Sequence, residues 1–238
     1  QVKHSKSLMM SKRIVVIGAS TGIGNALVHV AAKESDCKVI AFARNTDLMK
    51  QSFKSLSNVS YHHLDLEDIN ANDFSQVLDQ FGPVDILINN AGFLVNKPFE
   101  DLIKDDLMKS FQVNTIGIME ITKFSIPYLN KTNSHIVNIS SMGGFQGSAK
   151  FPGLTAYSSA KAALCAFTEV FAEEYKDSSI KMNCLCLGAV QTKMLEKAFP
   201  GFKAEISPKE MGSYIFDFAR KQGRFLNGKI IPVSLSTP

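Results

Sequence analysis

Short continuous apolar runs alternate along this chain with stretches whose apolar positions recur every three or four residues. Arg13 to Ile17 (RIVVI) is a run of the first kind, and Lys38 to Ala43 (KVIAFA), Val59 to Leu64, Val84 to Ile88, His135 to Ile139 (HIVNI), Ile180 to Leu187 and Lys229 to Val233 read as further strands. Runs of this length, bounded by turn residues, predict parallel strands buried on both faces. Between them, Ile23, Ala26, Leu27, Val30 and Ala31 keep helical spacing. So do Phe74, Val77, Leu78 and Phe81, before Gly82-Pro83 stops the helix. Further helices are predicted from about Phe99 to Leu129 with a break near Val113, from Thr155 to Tyr175, and from Ser207 to Gln222 with Pro208 in its first turn. Seven strands in alternation with helices predict an α/β fold. It is a doubly wound parallel seven-stranded sheet flanked by helices in three αβα layers. Ligands on such sheets sit beyond the carboxyl ends of the strands.

Composition narrows the class. The 238 residues, 45% hydrophobic and 20% charged, suit one domain spanning 1–238, with residues 1–11 as a polar arm. The net charge of +4 is spread out, and only Lys3, Lys6, Lys12 and Arg13 gather. A nucleic-acid groove would need a denser basic stripe, so no nucleic-acid partner is expected. No apolar run approaches the ~20 residues of a membrane span, and no apolar signal core stands at the start, so no membrane partner is expected either. Cys184 and Cys186 lie two apart on one side of a strand, away in sequence from Cys37 and Cys165. With no second pair or histidine cluster, buried free thiols are expected rather than a metal site, in a reducing cytoplasm. His62 and His63 point to opposite faces of their strand and find no third ligand.

The candidate chemistry lies at strand ends. Gly18-Ala19-Ser20-Thr21-Gly22-Ile23-Gly24 links the first strand to the first helix. Glycines there permit a tight turn and let a pyrophosphate approach the backbone, while the helix start supplies free amides, as in Rossmann-type dinucleotide folds. Asn89-Asn90-Ala91-Gly92 follows the fourth strand and belongs beside the same ligand. Ser140 and Ser141 end the fifth strand, where a hydroxyl can bond a substrate carbonyl oxygen. Tyr157 and Lys161 stand four apart on one helix face. A free phenol titrates near ~10. A cation ~4 Å away, at an effective dielectric of about 20, favours phenolate by up to ~4 kcal/mol.

Together these features resemble the compact single-domain class of the short-chain dehydrogenase/reductase family, over about Lys12 to Val233. The resemblance rests on GASTGIG at Gly18 to Gly24, NNAG at Asn89 to Gly92, Asn114 in VNTIG, IVNISS at Ile136 to Ser141 and YSSAK at Tyr157 to Lys161. It implies hydride transfer between a nicotinamide cofactor and a carbonyl or alcohol carbon of a small, partly apolar substrate. Tyr157 would donate or accept the proton, Lys161 would lower the tyrosine pKa and hold the nicotinamide ribose, and Ser141 would polarise the carbonyl. Asn114 would hold a water of the proton relay. Asp65 would contact the adenine, and Val190 and Thr192 the nicotinamide end, completing a cofactor site with Gly18, Ser20, Thr21, Gly22, Ile23, Gly24, Asn90, Ala91 and Gly92.

Ala43 stands where NAD-using relatives carry Asp, and Arg44 can pair a 2′-phosphate, so NADP(H) is the expected cofactor and NAD(H) the alternative. The resemblance also implies a homodimer or homotetramer through the Tyr157 helix. That helix is apolar on two sides, Leu164, Phe167 and Phe171 on one and Ala162, Cys165, Ala166 and Ala172 on another. Phe145, Phe151, Leu154, Met194 and Phe199 are expected at the pocket rim. Three departures stand out. The interval from Ser141 to Tyr157 is sixteen residues, longer than in common members, Leu187-Gly188 replaces Pro-Gly, and the C-terminal Gly-Gly is absent. A rival reading is a cofactor-sensing binding protein without turnover.

Overall fold

The computed structural model describes residues 11–235. Of the expected N-terminal arm, residues 1–10 lie outside that range. The chain runs β1 (Lys12–Ile17), α1 (Gly22–Ala31), β2 (Cys37–Ala43), α2 (Thr46–Phe53), β3 (Val59–His63), α3 (Ala71–Phe81), β4 (Ile86–Asn89), α4 (Lys104–Phe111) and α5 (Gly117–Ser125). It continues through β5 (Ser134–Ser141), α6 (Thr155–Glu174), β6 (Ile180–Leu187), α7 (Lys193–Ala198), α8 (Pro208–Lys221) and β7 (Ile230–Val233). All seven strands pair in parallel in the order β3-β2-β1-β4-β5-β6-β7. This is the doubly wound Rossmann-type sheet that the apolar runs predict. The order reverses between β1 and β4, where a crevice opens for ligands.

The central strands are largely apolar because both of their faces are covered, while the edge strands β3 and β7 are only partly buried. Ile14 and Val16 of β1 face a core shared with Leu27 and Val28 of α1 and Met211 and Ile215 of α8. Val15 and Ile17, alternating to the other face, meet Ile118 and Ile121 of α5 and Leu164 and Phe171 of α6.

Two helices escaped the sequence pattern. In α2 only Met49 and Phe53 are buried, too few for a stripe, and Asn45 caps it by accepting from the Leu48 amide. Six-residue α7 buries only Ala198. The break near Val113 is a π-helical segment, Gln112–Ile116, joining α4 to α5. Among the described residues no helix is long and apolar enough to cross a membrane.

Candidate active site

A cleft of about 690 Å³ opens at the carboxyl ends of β1, β2, β4, β5 and β6. Its floor is the Gly18–Gly24 turn. Gly18 has φ +86°, and a Cβ there would stand 2.5 Å from the Cα of Ala91, so only glycine lets the two turns touch. A Cβ on Gly24 would strike the Gly18 carbonyl oxygen and stand 2.5 Å from Nδ2 of Asn90. Gly24 therefore packs the turn from behind and does not line the cleft. Ser20, Thr21, Gly22 and Ile23 do line it. Thr21 caps no amide of α1, and the first turn of α1 carries no acid. Its free N–H groups and positive helix end can hold a pyrophosphate.

Asn89 and Asn90 divide their labour. Asn89 is fully buried and donates to Oδ1 of Asn138 at 2.8 Å and to Oγ1 of Thr122 at 3.3 Å. Asn90 donates from Nδ2 to the Gly18 carbonyl at 2.9 Å, tying the two turns together, and lines the cleft with Ala91 and Gly92. Asn114, in the π-helical segment, is fully buried and outside the cleft wall. Its Nδ2 donates to the carbonyls of Phe93 at 2.7 Å and Ser110 at 2.9 Å, and its Oδ1 accepts the Phe93 amide at 3.0 Å. Its side chain therefore positions the strand-four loop. A Cβ on Gly92 would stand 3.3 Å from this Oδ1 and 3.6 Å from Nζ of Lys161, so Gly92 fits between the two.

The adjacent serines part ways. Ser140 is buried and donates to the Lys161 carbonyl at 2.9 Å. Ser141 is half-buried at the cleft and accepts the Gly143 amide at 3.2 Å. Tyr157 and Lys161 rise beside it from the first turns of α6, with Nζ 5.9 Å from the centre of the phenol ring. Lys161 donates from Nζ to the Ile139 carbonyl at 2.8 Å. Burial pushes the phenol up to about 12, opposed by the Ser141 hydroxyl, and pushes the ammonium down to about 8. The sequence predicts a lowered tyrosine. In this structure the phenol is raised instead, because its burial penalises the charged form by more than the Ser141 hydroxyl stabilises it. Tyr157 thus holds its proton throughout the neutral range, as a proton donor must.

At the other end, Arg44 follows Ala43 at the end of β2 and lines the cleft with Asp65. Its Nη1 stands 3.3 Å from Oε1 of Glu67, which also takes Nζ of Lys109 at 2.9 Å. Asp65 accepts the Glu67 amide at 3.0 Å. Thr192 caps α7 through the Leu195 amide, and its Cγ2 lies 3.5 Å from where a Gly22 Cβ would stand. Downstream of Leu187-Gly188 the segment is tied at two points. Val190 bridges to Ile206, and Gln191 accepts the Ala204 amide at 2.8 Å.

Of the expected apolar rim, Phe151, Leu154, Met194 and Phe199 line the cleft, and Phe145 does not. Phe145 turns inward against the thiols of Cys165, Cys184 and Cys186. The long interval after Ser141 is folded on itself, with Lys150 donating to the Phe145 carbonyl at 2.6 Å. Asn45, Leu94 and Gln191 also line the cleft. Each stands within two residues of a position the sequence singles out (Arg44, Gly92 and Thr192), and follows it to the cleft.

A sequence profile described as short chain dehydrogenase matches residues 12–201. An oxidoreductase BOA17 of Botryotinia fuckeliana is 32% identical over 77% of this chain and 67% of its own length. A 3-amino-tetrahydro-pyrrolizinone reductase of Xenorhabdus hominickii is 34% identical over 79% of this chain, which spans 65% of that protein. A 3-oxoacyl-(acyl-carrier-protein) reductase of Thermotoga maritima is 28% identical over 93% of this chain and 96% of its own. Among solved structures, a short chain dehydrogenase of Salmonella enterica serovar Typhi superposes with a TM-score of 0.82 at 25% identity, covering 97% of this chain and 99% of that one.

Proposed function

The chain belongs to the short-chain dehydrogenase family, oxidoreductases that use nicotinamide cofactors, and on that premise we propose that it reduces the carbonyl of a small, partly apolar substrate with NADPH. The observation that carries this reading is the meeting of Ser141, Tyr157 and Lys161 in the cleft whose floor is the Gly18–Gly24 turn. A bound nicotinamide supplies the hydride. The chain's own groups do the rest. Tyr157, protonated, gives its phenolic proton to the carbonyl oxygen, and the Ser141 hydroxyl bonds the same oxygen and polarises it. Lys161, on the same helix face, holds the ribose. Asn114 acts through the Phe93 loop.

We take reduction as the direction, with Tyr157, whose phenol burial keeps protonated, as the proton donor. Two of its relatives, from Xenorhabdus hominickii and Thermotoga maritima, are reductases, which supports this direction. Leu94, Phe151, Leu154, Met194 and Phe199 give the substrate end its apolar walls.

The preference for the phosphorylated cofactor rests on the end of β2. Ala43 leaves no carboxylate to repel a 2′-phosphate, and Arg44, whose side chain is 58% exposed, is free to turn from Glu67 toward it. We propose in addition that the chain assembles as a homodimer or homotetramer through α6.

A panel of carbonyls followed at the reduced-nicotinamide absorbance, with NADPH and NADH in parallel, tests the reading. Wild type should give the higher kcat/KM with NADPH. Ala43→Asp should shift the ratio toward NADH, and Arg44→Ala should weaken NADPH alone. A wild type that prefers NADH overturns the cofactor assignment.

A further inference from the structure

The sequence expectation for the cysteines is buried free thiols, with Cys184 and Cys186 on one side of a strand, and all four are free and buried. The fold also gathers three of the four. Cys184 and Cys186 point to one face of β6, and Cys165 descends onto them from α6, one turn past Lys161. The Cys165 sulfur stands 3.6 Å from that of Cys186 and 4.0 Å from that of Cys184, and all three lie within 4.8 Å of one another. Packing alone does not require sulfurs to converge. Two alternate strand residues and one helix residue meeting at a point is the arrangement of a ligand set.

We propose that Cys165, Cys184 and Cys186 form a binding site for one soft d¹⁰ cation, zinc being the physiological candidate. Zinc–sulfur bonds of ~2.3 Å at tetrahedral angles place sulfur pairs ~3.8 Å apart. The separations on Cys165 fall on either side of that value, so a cation enters with only side-chain adjustment. Thiolates select zinc over the hard cations, which want oxygen. Oγ of Ser140 accepts from the Cys165 thiol at 3.4 Å and donates to the Lys161 carbonyl, so loss of the thiol proton leaves a lone pair facing the sulfurs.

The charges balance. Three thiols release three protons to solvent as they take up the dication, leaving one net negative charge. The Lys161 ammonium, one turn before Cys165 on the same face of α6, supplies a positive charge on the helix that carries the site. The thiols are buried behind the active-site cleft, so a cation reaches them by displacement of the Met142 side chain or during folding. Met142 lines the cleft on one side and packs on the thiols on the other. A bound cation would staple the helix that carries Tyr157 and Lys161 to β6. The site is independent of the substrate and cofactor assignments.

The test uses the reduced, chelator-stripped full chain titrated with Co²⁺ as the spectroscopic probe. One equivalent should bind, with visible bands of tetrahedral cobalt and a thiolate charge-transfer band whose intensity corresponds to three sulfurs. One equivalent of Zn²⁺ should abolish both. Cys165→Ala and Cys184→Ala should lose the charge-transfer band, and Cys37→Ala should keep it. Zinc should also raise the thermal unfolding midpoint of wild type and leave that of Cys186→Ala unmoved. Cobalt that gives no charge-transfer band in folded wild type, or a band of single-thiolate intensity, overturns the proposal whether or not the variants fold. So does a band that survives Cys165→Ala.

Discussion

At the scale of the residue, the chemistry turns on where protons sit. Burial holds the Tyr157 proton up to about pH 12 and loosens that of Lys161 to about 8. Tyr157→Phe should therefore cost ~10²–10⁴-fold in turnover, the usual worth of general acid catalysis, while cofactor affinity measured by fluorescence titration stays near wild type. Near-normal turnover would remove Tyr157 from its role. The pH profile follows with a definite sign. Both groups are protonated below about 8, so kcat/KM for reduction should be level there. It should then fall as Lys161 loses its proton, with Tyr157 still protonated. Lys161→Arg keeps its charge over the whole range and should lose that alkaline limb while running more slowly. A limb that persists in Lys161→Arg assigns it to another group. The identities of Ser141, Tyr157 and Lys161 were legible because their spacing is local. The tyrosine's raised pKa was not, since desolvation comes from walls supplied by distant segments. Nor was the split between Ser140, turned to the Lys161 carbonyl, and Ser141, left at the cleft.

At the scale of the element, the strands and long helices wrote themselves as apolar periodicity, and the short pieces over the cleft did not. α2 and α7 bury too few residues to leave a stripe, and their starts are set by the caps Asn45 and Thr192. The substrate end is held by ties between loops far apart in sequence. Asn96 donates to the Ala198 carbonyl at 2.8 Å, and the Lys97 amide donates to the Gly153 carbonyl at 3.0 Å. Phe151 meets Phe199 edge to face. Asn96 thus joins the loop after β4 to the end of α7, where Ala198 and Phe199 line the cleft. Losing one such hydrogen bond costs about 1 kcal/mol, or roughly fivefold in an equilibrium. Asn96→Ala should raise the KM for the carbonyl by about that factor and leave the KM for the cofactor unchanged. An equal rise in both would mean that the tie steadies the whole cleft rather than its substrate end.

At the scale of the whole molecule, the doubly wound sheet followed from strand-helix alternation, whereas what lies outside it depends on which helix faces are left over. The two apolar sides of α6 read from the sequence do not survive as drawn. Cys165 and Ala172 turn inward, while Ala162, Ala166 and Val170, four apart, form one exposed line. Val170 is 65% exposed, and on neighbouring α4 Met108 is 56% exposed. A stripe of small side chains along twenty-residue α6 lets a second helix approach closely, and its apolar area is lost from water when it does. A two-fold assembly would set this stripe against its own copy, so that each substitution counts twice. Ala166→Arg should therefore break the assembly, placing two guanidinium groups against each other where two methyl groups met. Lys123→Ala, an exposed change on α5 outside the stripe, should leave it intact. Multi-angle light scattering at micromolar concentration reads the outcome directly. Wild type should run as a dimer or tetramer and Ala166→Arg at a lower mass with unchanged circular dichroism. A wild type of monomer mass, or an Ala166→Arg that keeps the full assembly, would move the interface off α6.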